Sequence, residues 1–309
     1  MATMALESQH QAGISFKSIL LATDFSEVSE RALAYATAIA RLHGSKIYVV
    51  HVIPHGPNSL VPENSGDRLC LEAEREMERL GSRSALKPIA HETVLRAGPV
   101  WRVLSALIYE KNIDLTVLGT HGRGGFKKLV LGSVAEQVVR GASCPVITVG
   151  PHTDTPSSTT GGIHRILFAS DFHPASAKAL DYARLFANQF HAKLILLHVL
   201  PPAALPGPER TFFNEREIKH WQARETTAAK QKLEKLLSPD RTLWSGPEYV
   251  VGFDFTADGI LKVASERCAN LIVMGANHPM SAKLSAHFLR AVTCEVIRDA
   301  KCPVLTVGA

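Results

Sequence analysis

A segment between residues 119 and 133 has the glycine and serine spacing of an anion-binding loop. Gly119 is followed after two residues by Gly122, and nine residues later by the Gly132-Ser133 pair. The glycines allow a tight turn and a close approach of the backbone to a ligand, because a Cβ would obstruct both. If a helix opens at Gly132-Ser133, its N–H groups and positive dipole end favour a phosphate, and the Ser133 hydroxyl adds a donor. The pattern predicts a phosphate-binding loop.

Basic and polar side chains accompany this loop. Arg123, Lys127 and Lys128 lie between its glycines, where their charge could neutralise a triphosphate. His121 lies within reach of a ribose or a phosphate. A simpler interpretation stays open, in which the glycines only form a turn and Ser133 only caps a helix.

The loop follows a predicted strand and precedes a predicted helix. Short β-branched apolar runs alternate with longer helical patterns, which indicates a parallel sheet covered by helices. A first helix begins after Ser26, a capping residue, and a fourth begins near Ser133. The second and third helices span 68–80 and 100–110, and the predicted strands are 19–23, 46–53, 89–96, 115–119 and 146–149.

The chain contains this unit twice. Residues 17–54 align without a gap to residues 164–201, and CPVITVG at the end of the first half matches CPVLTVG at the end of the second. A repeat of this length indicates duplicated domains. We predict a disordered tail at 1–15, a first domain at 16–150, a linker at 151–162 with the sequence PHTDTPSSTTGG, and a second domain at 163–309.

The order of elements predicts where ligands bind. Five parallel strands joined by right-handed crossovers form a doubly wound sheet, so the fold class is α/β with two such five-stranded domains in tandem. Sheets of this kind bind ligands at the carboxyl ends of the strands where the winding direction switches. The crevice should therefore lie between the first and fourth strands of each half.

The TDFS segment after the first strand, the HVIP segment at the end of the second and the Gly119–Ser133 loop together resemble the universal stress protein family, in its ATP-binding branch. The resemblance covers both halves and implies a Rossmann-like, adenine nucleotide alpha hydrolase-like fold. It implies that Ala22 and Asp24 lie beside adenosine and that the backbone of Val52 meets the adenine. The full implied cofactor-binding set is Ala22, Thr23, Asp24, Val52, Leu118, Gly119, His121, Gly122, Arg123, Gly132, Ser133 and Val134. Asp24 is equally placed to cap the following helix.

The second half departs from this pattern at its phosphate end. Alignment of the two halves replaces Gly122 by His278, Gly132 by Arg290 and Ser133 by Ala291. We expect Arg290 to stand at the start of the helix, where its cation would block the backbone donors and oppose the helix dipole. Because Asp171, Val199 and Gly275 persist, an adenosine-like cleft could survive without a phosphate end. The second domain is expected to be structural or regulatory.

Composition excludes several other classes of protein. The net charge of +5 is spread over Lys and Arg scattered among 29 acids, which argues against a nucleic-acid surface. The apolar runs are too short to span a membrane and no secretory signal is visible, so we expect a soluble cytoplasmic protein. The five cysteines have no CxxC spacing, and His51 and His198, which occupy matching positions, are interpreted as packing residues rather than metal ligands.

The functional hypothesis is a nucleotide-responsive binding protein of the stress response that holds ATP, with or without Mg²⁺, in its first domain. No catalytic base, Walker lysine or acidic metal pair stands out. Two alternatives stay open: a slow ATPase or nucleotidyl-transfer enzyme in which Asp24 holds Mg²⁺, and a scaffold that binds no nucleotide. The resemblance also implies that the two domains pair through 146–149 and 304–307, while a homodimer and an unidentified regulatory protein are further partners.

Overall fold

A computed structural model of the 309-residue chain describes residues 14–54, 66–121, 131–153, 162–201, 215–237, 243–276 and 285–308. The first half contains β1 (Ser18–Ala22), α1 (Glu27–His43), β2 (Lys46–Pro54), α2 (Gly66–Gly81), β3 (His91–Gly98), α3 (Val100–Glu110), β4 (Leu115–Gly119), α4 (Ser133–Gly141) and β5 (Val146–Val149). The second half contains β6 (Arg165–Ala169), α5 (Pro174–Gln189), β7 (Lys193–Leu200), α6 (Glu215–Leu236), β8 (Glu248–Phe253), α7 (Thr256–Glu266), β9 (Leu271–Ala276), α8 (Ser285–Asp299) and β10 (Val304–Gly308).

The ten strands form one continuous sheet, with the order β3-β2-β1-β4-β5-β10-β9-β6-β7-β8. Neighbouring strands within each half are parallel, as predicted for two doubly wound α/β domains. The winding direction switches between β1 and β4 in the first half, and between β6 and β9 in the second. Both switch points therefore lie where the sequence predicts them.

The two halves are joined by the antiparallel pairing of β5 with β10, in which Ile147 lies opposite Leu305. Thr148 Oγ1 donates a hydrogen bond to the carbonyl of Val304 at 3.2 Å, and Thr306 Oγ1 donates to the carbonyl of Val146 at 3.3 Å. The expected pairing of the two domains through their last strands is confirmed. It leaves neither of these β-branched strands as a free edge.

Aromatic packing adds to this junction. Phe16, which is 1% exposed, stacks on Phe186 and Tyr182 of α5 with ring centroids 5.6 and 6.0 Å apart. Its ring also meets the edge of His43 at the end of α1. Burial lowers the pKa of His43, while a hydrogen bond with Gln189 of the other half acts in the opposite direction.

Helix α1 begins after the capping residue Ser26, as the sequence predicts. The Ser26 hydroxyl accepts a hydrogen bond from the N–H of Ser29, and Gly44 ends the helix in the left-handed conformation at φ 63°. Leu33, Ala36 and Ala40 form an apolar stripe along the helix and are buried. This stripe packs α1 on the face of the sheet beside β1 and β4.

Several predicted boundaries shift. The third strand, predicted at 89–96, begins at His91, because Ile89 still closes a turn through a hydrogen bond from its N–H to the carbonyl of Leu86. Ile14 lies in the predicted disordered tail, yet it packs against the core. The predicted linker begins with an anchored turn, in which Thr153 is buried and its hydroxyl accepts from the N–H of Gly150. Residues 1–13 and 154–161 lie outside the described part of the chain.

Two further expectations concern the whole chain. The five cysteines are free thiols, and burial raises the pKa of Cys302 to about 12. Across the described ranges, none of the helices has the length and apolar character that a bilayer crossing requires.

We predict that the shared sheet makes the two halves unfold together. Ile147→Ala removes a side chain that is 2% exposed at the junction, which should lower the free energy of unfolding by about 2–5 kcal/mol in one cooperative transition. Leu42→Ala, at a position that is 43% exposed, is the control and should change it by about 0.5 kcal/mol or less. Urea unfolding followed by circular dichroism measures both, and two separate transitions would contradict the prediction.

Candidate functional site

A cleft of about 770 Å³ opens at the carboxyl ends of β1, β2 and β4. Ten of the twelve sequence-predicted residues line it, and they come from four separate stretches of the chain. They are Ala22, Thr23, Asp24, Val52, Leu118, Gly119, His121, Gly132, Ser133 and Val134. The other two, Gly122 and Arg123, lie outside the described residues.

The N-terminus of α4 forms one end of this cleft. The helix begins at Ser133, as predicted, and its N-cap residue Gly132 offers no side chain to bond the first N–H groups. Those N–H groups have no partner within the helix, so they and the dipole favour an anion at this end. Gly132 is held in place by a hydrogen bond of 2.9 Å from its N–H to the carbonyl of Thr120.

The glycines that flank the loop have a packing role that the sequence did not reveal. A Cβ on Gly132 would lie 2.7 Å from the carbonyl oxygen of Thr120. A Cβ on Gly119 would lie 3.0 Å from a methyl of Val28 and 3.3 Å from the backbone nitrogen of Ser29. Both glycines therefore let backbone segments touch, which brings β4, α4 and the start of α1 together around the cleft.

The turn between β1 and α1 carries polar side chains that hydrogen bonds hold in place at the cleft. An oxygen of the Asp24 carboxylate accepts a hydrogen bond from the N–H of Ser26 at 3.1 Å, so this residue does cap the turn. Thr23 Oγ1 accepts from the N–H of Phe25 at 3.0 Å and donates to Ser29 Oγ at 3.1 Å. The Asp24 side chain also lines the cleft, so the capping role leaves it placed to meet a ligand.

Phe25 adopts an uncommon backbone conformation at this turn. Its φ is 62°, in the left-handed region that non-glycine residues rarely occupy. The same feature recurs in the second half, where Phe172 has a φ of 63°. Strained backbone of this kind persists only where the surroundings hold it, and it clusters at functional sites.

The paired histidines are packing residues, as the sequence analysis proposed. His51 Nδ1 donates to the carbonyl of Thr23 and His198 Nδ1 donates to the carbonyl of Ser170, both at 2.7 Å. Their rings lie against Phe25 and Phe172, with centroids 4.4 Å apart in each pair. Within the residues that the structure describes, no set of three or more His, Cys, Asp or Glu side chains is arranged to hold a metal ion.

His121 stands between the strand ends and the helix start. Its Nδ1 lies 2.9 Å from the hydroxyl of Thr120, and its ring lines the cleft. Thr120 in turn donates its N–H to the carbonyl of Val149 in β5. The imidazole is thus fixed at the end of the cleft where α4 begins.

Helix α2 supplies a wall that sequence reasoning missed. Leu69, Ala73, Glu72, Arg75 and Glu76 line the cleft. The charges between Glu72 and Glu78 are typical of a solvated helix face, and their i,i+4 spacing says nothing about what the helix crosses. The amphipathic pattern with Ala73 and Met77 buried was the available signal, since it fixes which side of α2 faces the sheet.

The second half contains a smaller cleft of about 240 Å³ in the equivalent place. Each of its fourteen described lining residues occupies the position of a lining residue of the first cleft. Ala169, Asp171, His198, Val199 and Gly275 correspond to Ala22, Asp24, His51, Val52 and Gly119. A cleft therefore persists in the second half with the same lining positions, and its adenosine-like character stays a prediction.

The expected position of Arg290 at a helix start is wrong. Helix α8 has 15 residues where α4 has nine, and the two helices end at equivalent positions. The additional turns lie at the N-terminus, so Arg290 and Ala291 fall inside α8. Their backbone N–H groups are therefore committed to the helix, so helix extension removes the anion site.

Charge also differs between the two clefts. Lys232 of α6 takes the position of Glu76 of α2, and its Nζ lies 5.6 Å from the centre of the Phe172 ring. Burial lowers the pKa of His198, and the nearby positive charge of Lys232 acts in the same direction. Hydrogen bonding to Ser170 and the charge of Asp171 oppose this shift. The net effect is a pKa of His198 below its ordinary value.

Comparison with known proteins gives a consistent result. Residues 15–150 and 162–308 each match the model of one family, described as Universal stress protein family. A universal stress protein of Thermus aquaticus is 38% identical over 136 residues, which are 43% of this chain and 98% of that protein. One of Methanocaldococcus jannaschii is 31% identical over 140 residues, 43% of this chain and 82% of that protein. The crystal structure of a universal stress protein from Archaeoglobus fulgidus shares the fold, with a TM-score of 0.68, 22% identity, and coverage of 96% of this chain and 97% of that chain.

The close approach at Gly132 yields a prediction about stability. Gly132→Ala places a methyl group against the Thr120 carbonyl, which should lower the free energy of unfolding by about 1–3 kcal/mol. Gly246→Ala is the matched control, because a Cβ there meets nothing within 4 Å, and it should change stability by about 0.5 kcal/mol or less. Equal stabilities of the two variants in urea unfolding would show that the close approach to Thr120 does not exclude a side chain at position 132.

The lowered pKa of His198 yields a prediction about pH. Below the ordinary histidine pKa of 6.5, the unfolded chain binds a proton at His198 more readily than the folded chain does, because the imidazole is partly buried in the folded chain. The contribution of His198 to the free energy of unfolding should therefore be fully present above pH 6.5 and should be lost as the pH is lowered. Urea unfolding at pH 7.5 and 5.5 should show a smaller loss for His198→Gln than for the unmodified chain. An identical loss of unfolding free energy in both proteins would contradict the lowered pKa of His198.

Proposed function

The chain belongs to the universal stress protein family, and we propose that it is a nucleotide-responsive regulatory protein that holds ATP in its first cleft. The observation that carries this proposal is the convergence of the ten described residues of the predicted nucleotide set on one cleft. Its volume of about 770 Å³ falls within the roughly 300–1,000 Å³ of small-molecule sites.

The two ends of the cleft suit the two ends of the nucleotide. Apolar side chains at the end of β2, among them Val50, Val52 and Ile53, offer a surface for the adenine ring. The uncapped N-terminus of α4, with the hydroxyl of Ser133, offers donors for the phosphates. Asp24 lies between them at the switch point, where a carboxylate can accept hydrogen bonds from ribose hydroxyls. ATP therefore lies with its base on β2 and its phosphates at α4.

A hydrogen-bonded path links the phosphate end to the junction between the halves. The N–H of Gly132 bonds to the carbonyl of Thr120, and the N–H of Thr120 bonds to the carbonyl of Val149. Val149 ends β5, the strand that pairs with β10. A ligand that orders the start of α4 thus acts on the segment that holds the two halves together, and it stabilises the folded chain in proportion to its occupancy.

Matched aspartates in the two halves test the proposal. Asp24→Ala should weaken ATP binding by roughly 10- to 100-fold, because it removes a charged hydrogen-bond acceptor from the cleft. Asp171→Ala, at the equivalent position of the second half, makes the same local change and should leave ATP affinity unaltered. Isothermal titration calorimetry of the full chain with ATP, with and without Mg²⁺, measures both.

Two outcomes would contradict the proposal. Absence of ATP binding by the unmodified chain would remove it, and equal weakening by Asp24→Ala and Asp171→Ala would remove the assignment to the first cleft. Chromatography of the nucleotide recovered from the same samples tests the enzymatic alternative. ADP or AMP formed by the unmodified chain and not by Asp24→Ala would favour an enzyme over a binding protein.

A further inference from the structure

We propose that the outer edge of β8 is a surface through which two copies of this chain pair. Among the described residues, β3 and β8 are the outer strands of the ten-stranded sheet. They are equivalent strands of the two halves, because Glu92 lies beside Tyr48 and Glu248 lies beside Ile195, the counterpart of Tyr48 in the repeat. The two edges can therefore be compared position by position. The proposal is independent of what either cleft binds.

The edge at β3 carries residues that discourage pairing with another strand. Pro88 and Pro99 flank the strand, Arg96 lies within it, and all three are exposed. Proline has no N–H to donate to a neighbouring strand, and a charge at an edge is costly to cover. The first half therefore ends in an edge that is protected against association.

The edge at β8 lacks each of these protective residues. The counterparts of Pro88, Arg96 and Pro99 are Trp244, Gly252 and Phe255. Trp244 is 61% exposed and Phe255 is 68% exposed. Trp and Phe are enriched in protein–protein interfaces. The duplicated edge has thus exchanged two prolines and a charge for two exposed aromatic side chains and a glycine.

Contacts within the chain hold Trp244 in an exposed position. Its backbone N–H donates a hydrogen bond to Asn188 Oδ1 at 2.8 Å, and its ring packs against the His191 ring with centroids 4.3 Å apart. A side chain that is already ordered loses less conformational entropy when a partner covers it. Trp244 is therefore suited to an interface.

The backbone of β8 directs hydrogen-bonding groups away from β7. The N–H of Asp254 donates to the carbonyl of Leu200 at 3.2 Å, so the even-numbered residues of this strand face β7. Because alternate residues of a strand direct their backbone groups to opposite sides, Tyr249, Val251 and Phe253 face outward. Their N–H and C=O groups are donors and acceptors for a further strand.

A second copy of β8 in antiparallel orientation is complementary to this edge. Pairing centred on Val250 places Tyr249 opposite Val251 of the other copy, where the two residues exchange N–H to C=O hydrogen bonds. Glu248 then lies opposite Gly252, which presents no charge to it. The chain already pairs equivalent domains in this manner, since β5 and β10 form an antiparallel junction.

The size of this interface predicts a weak dimer. An aromatic side chain buries roughly 150–250 Å² when it is fully covered. The side chains of Trp244 and Phe255 from two copies, together with the strand edges, therefore bury a total near about 1,200 Å², the upper limit of weak associations. We expect a dimer that forms reversibly as the protein concentration rises.

Amide hydrogen exchange of the unmodified full chain, followed by NMR at low and high protein concentration, tests this pairing. The outward amides of Tyr249 and Val251 should exchange more slowly at high concentration, because the second copy accepts their hydrogen bonds. The amides of Val250 and Gly252, which face β7, should be equally protected at both concentrations. Sedimentation velocity over the same range should show the change from monomer to dimer.

Matched variants of Gly252 locate the contact. Gly252→Arg restores the edge charge that Arg96 supplies in the first half, and it should lower the dimer association constant at least 10-fold. Gly252→Ala adds a methyl group without a charge and should preserve the dimer. A Cβ at this position meets a Val199 methyl at 3.9 Å, an ordinary contact, so both variants should fold.

An aromatic pair of variants gives a second test. Trp244→Gln combined with Phe255→Gln removes the exposed apolar area and should also weaken the dimer at least 10-fold. Tyr109→Gln, at a position on α3 that is 86% exposed, is the control and should leave dimer formation unchanged.

Three outcomes would overturn the proposal. The first is an unmodified chain that stays monomeric across the concentration range with fast exchange at Tyr249 and Val251. The second is slow exchange of these two amides in the monomer, which would show that another segment of the same chain covers the edge. The third is a dimer that persists in Gly252→Arg, which would place the contact elsewhere.

Discussion

The site in the first half depends on one backbone contact, the approach of Gly132 to the end of β4. The N–H of Gly132 bonds to the carbonyl of Thr120 at 2.9 Å, at a position where a Cβ would lie 2.7 Å from the same oxygen. This contact fixes where α4 starts relative to the strand ends. Because the helix starts there and its cap has no side chain, its first N–H groups face the switch point of the sheet.

The second half shows what the same sheet becomes without that contact. Its β6–α5 turn, its histidine packing and the close approach at Gly275 repeat those of the first half, with a hypothetical Cβ on Gly275 lying 2.7 Å from the backbone of Ala175. The difference is concentrated in α8, which begins six residues earlier than α4 relative to their common end. Duplication thus preserved the rigid part of the cleft and changed the part that a helix start controls.

Most of the fold and much of the site could be predicted from local signals. The alternation of apolar runs, the Ser26 cap and the spacing of Gly119, Gly132 and Ser133 are encoded within a few residues of where they act. The amphipathic pattern of α2 predicts which side of the helix faces the sheet, but the wall that it forms also depends on how the helix crosses β2 and β3. The start of α8 was also beyond local reasoning, since residues 285–290 contain no Pro or Gly that would stop the helix from extending past the position aligned with Ser133.

The continuous sheet connects the two clefts, which differ in volume and in the helix start beside them. Each cleft lies at the carboxyl end of strands that run parallel within their half, and the halves meet where β5 and β10 run in opposite directions. The phosphate end of the first cleft reaches β5 through Thr120 and Val149, while Gly275 of the second cleft lies in β9, directly beside β10. Because packed sheet cores are stiff, a displacement at either cleft is transmitted to the same four central strands. The two halves therefore form one mechanical unit whose clefts are connected through a shared junction.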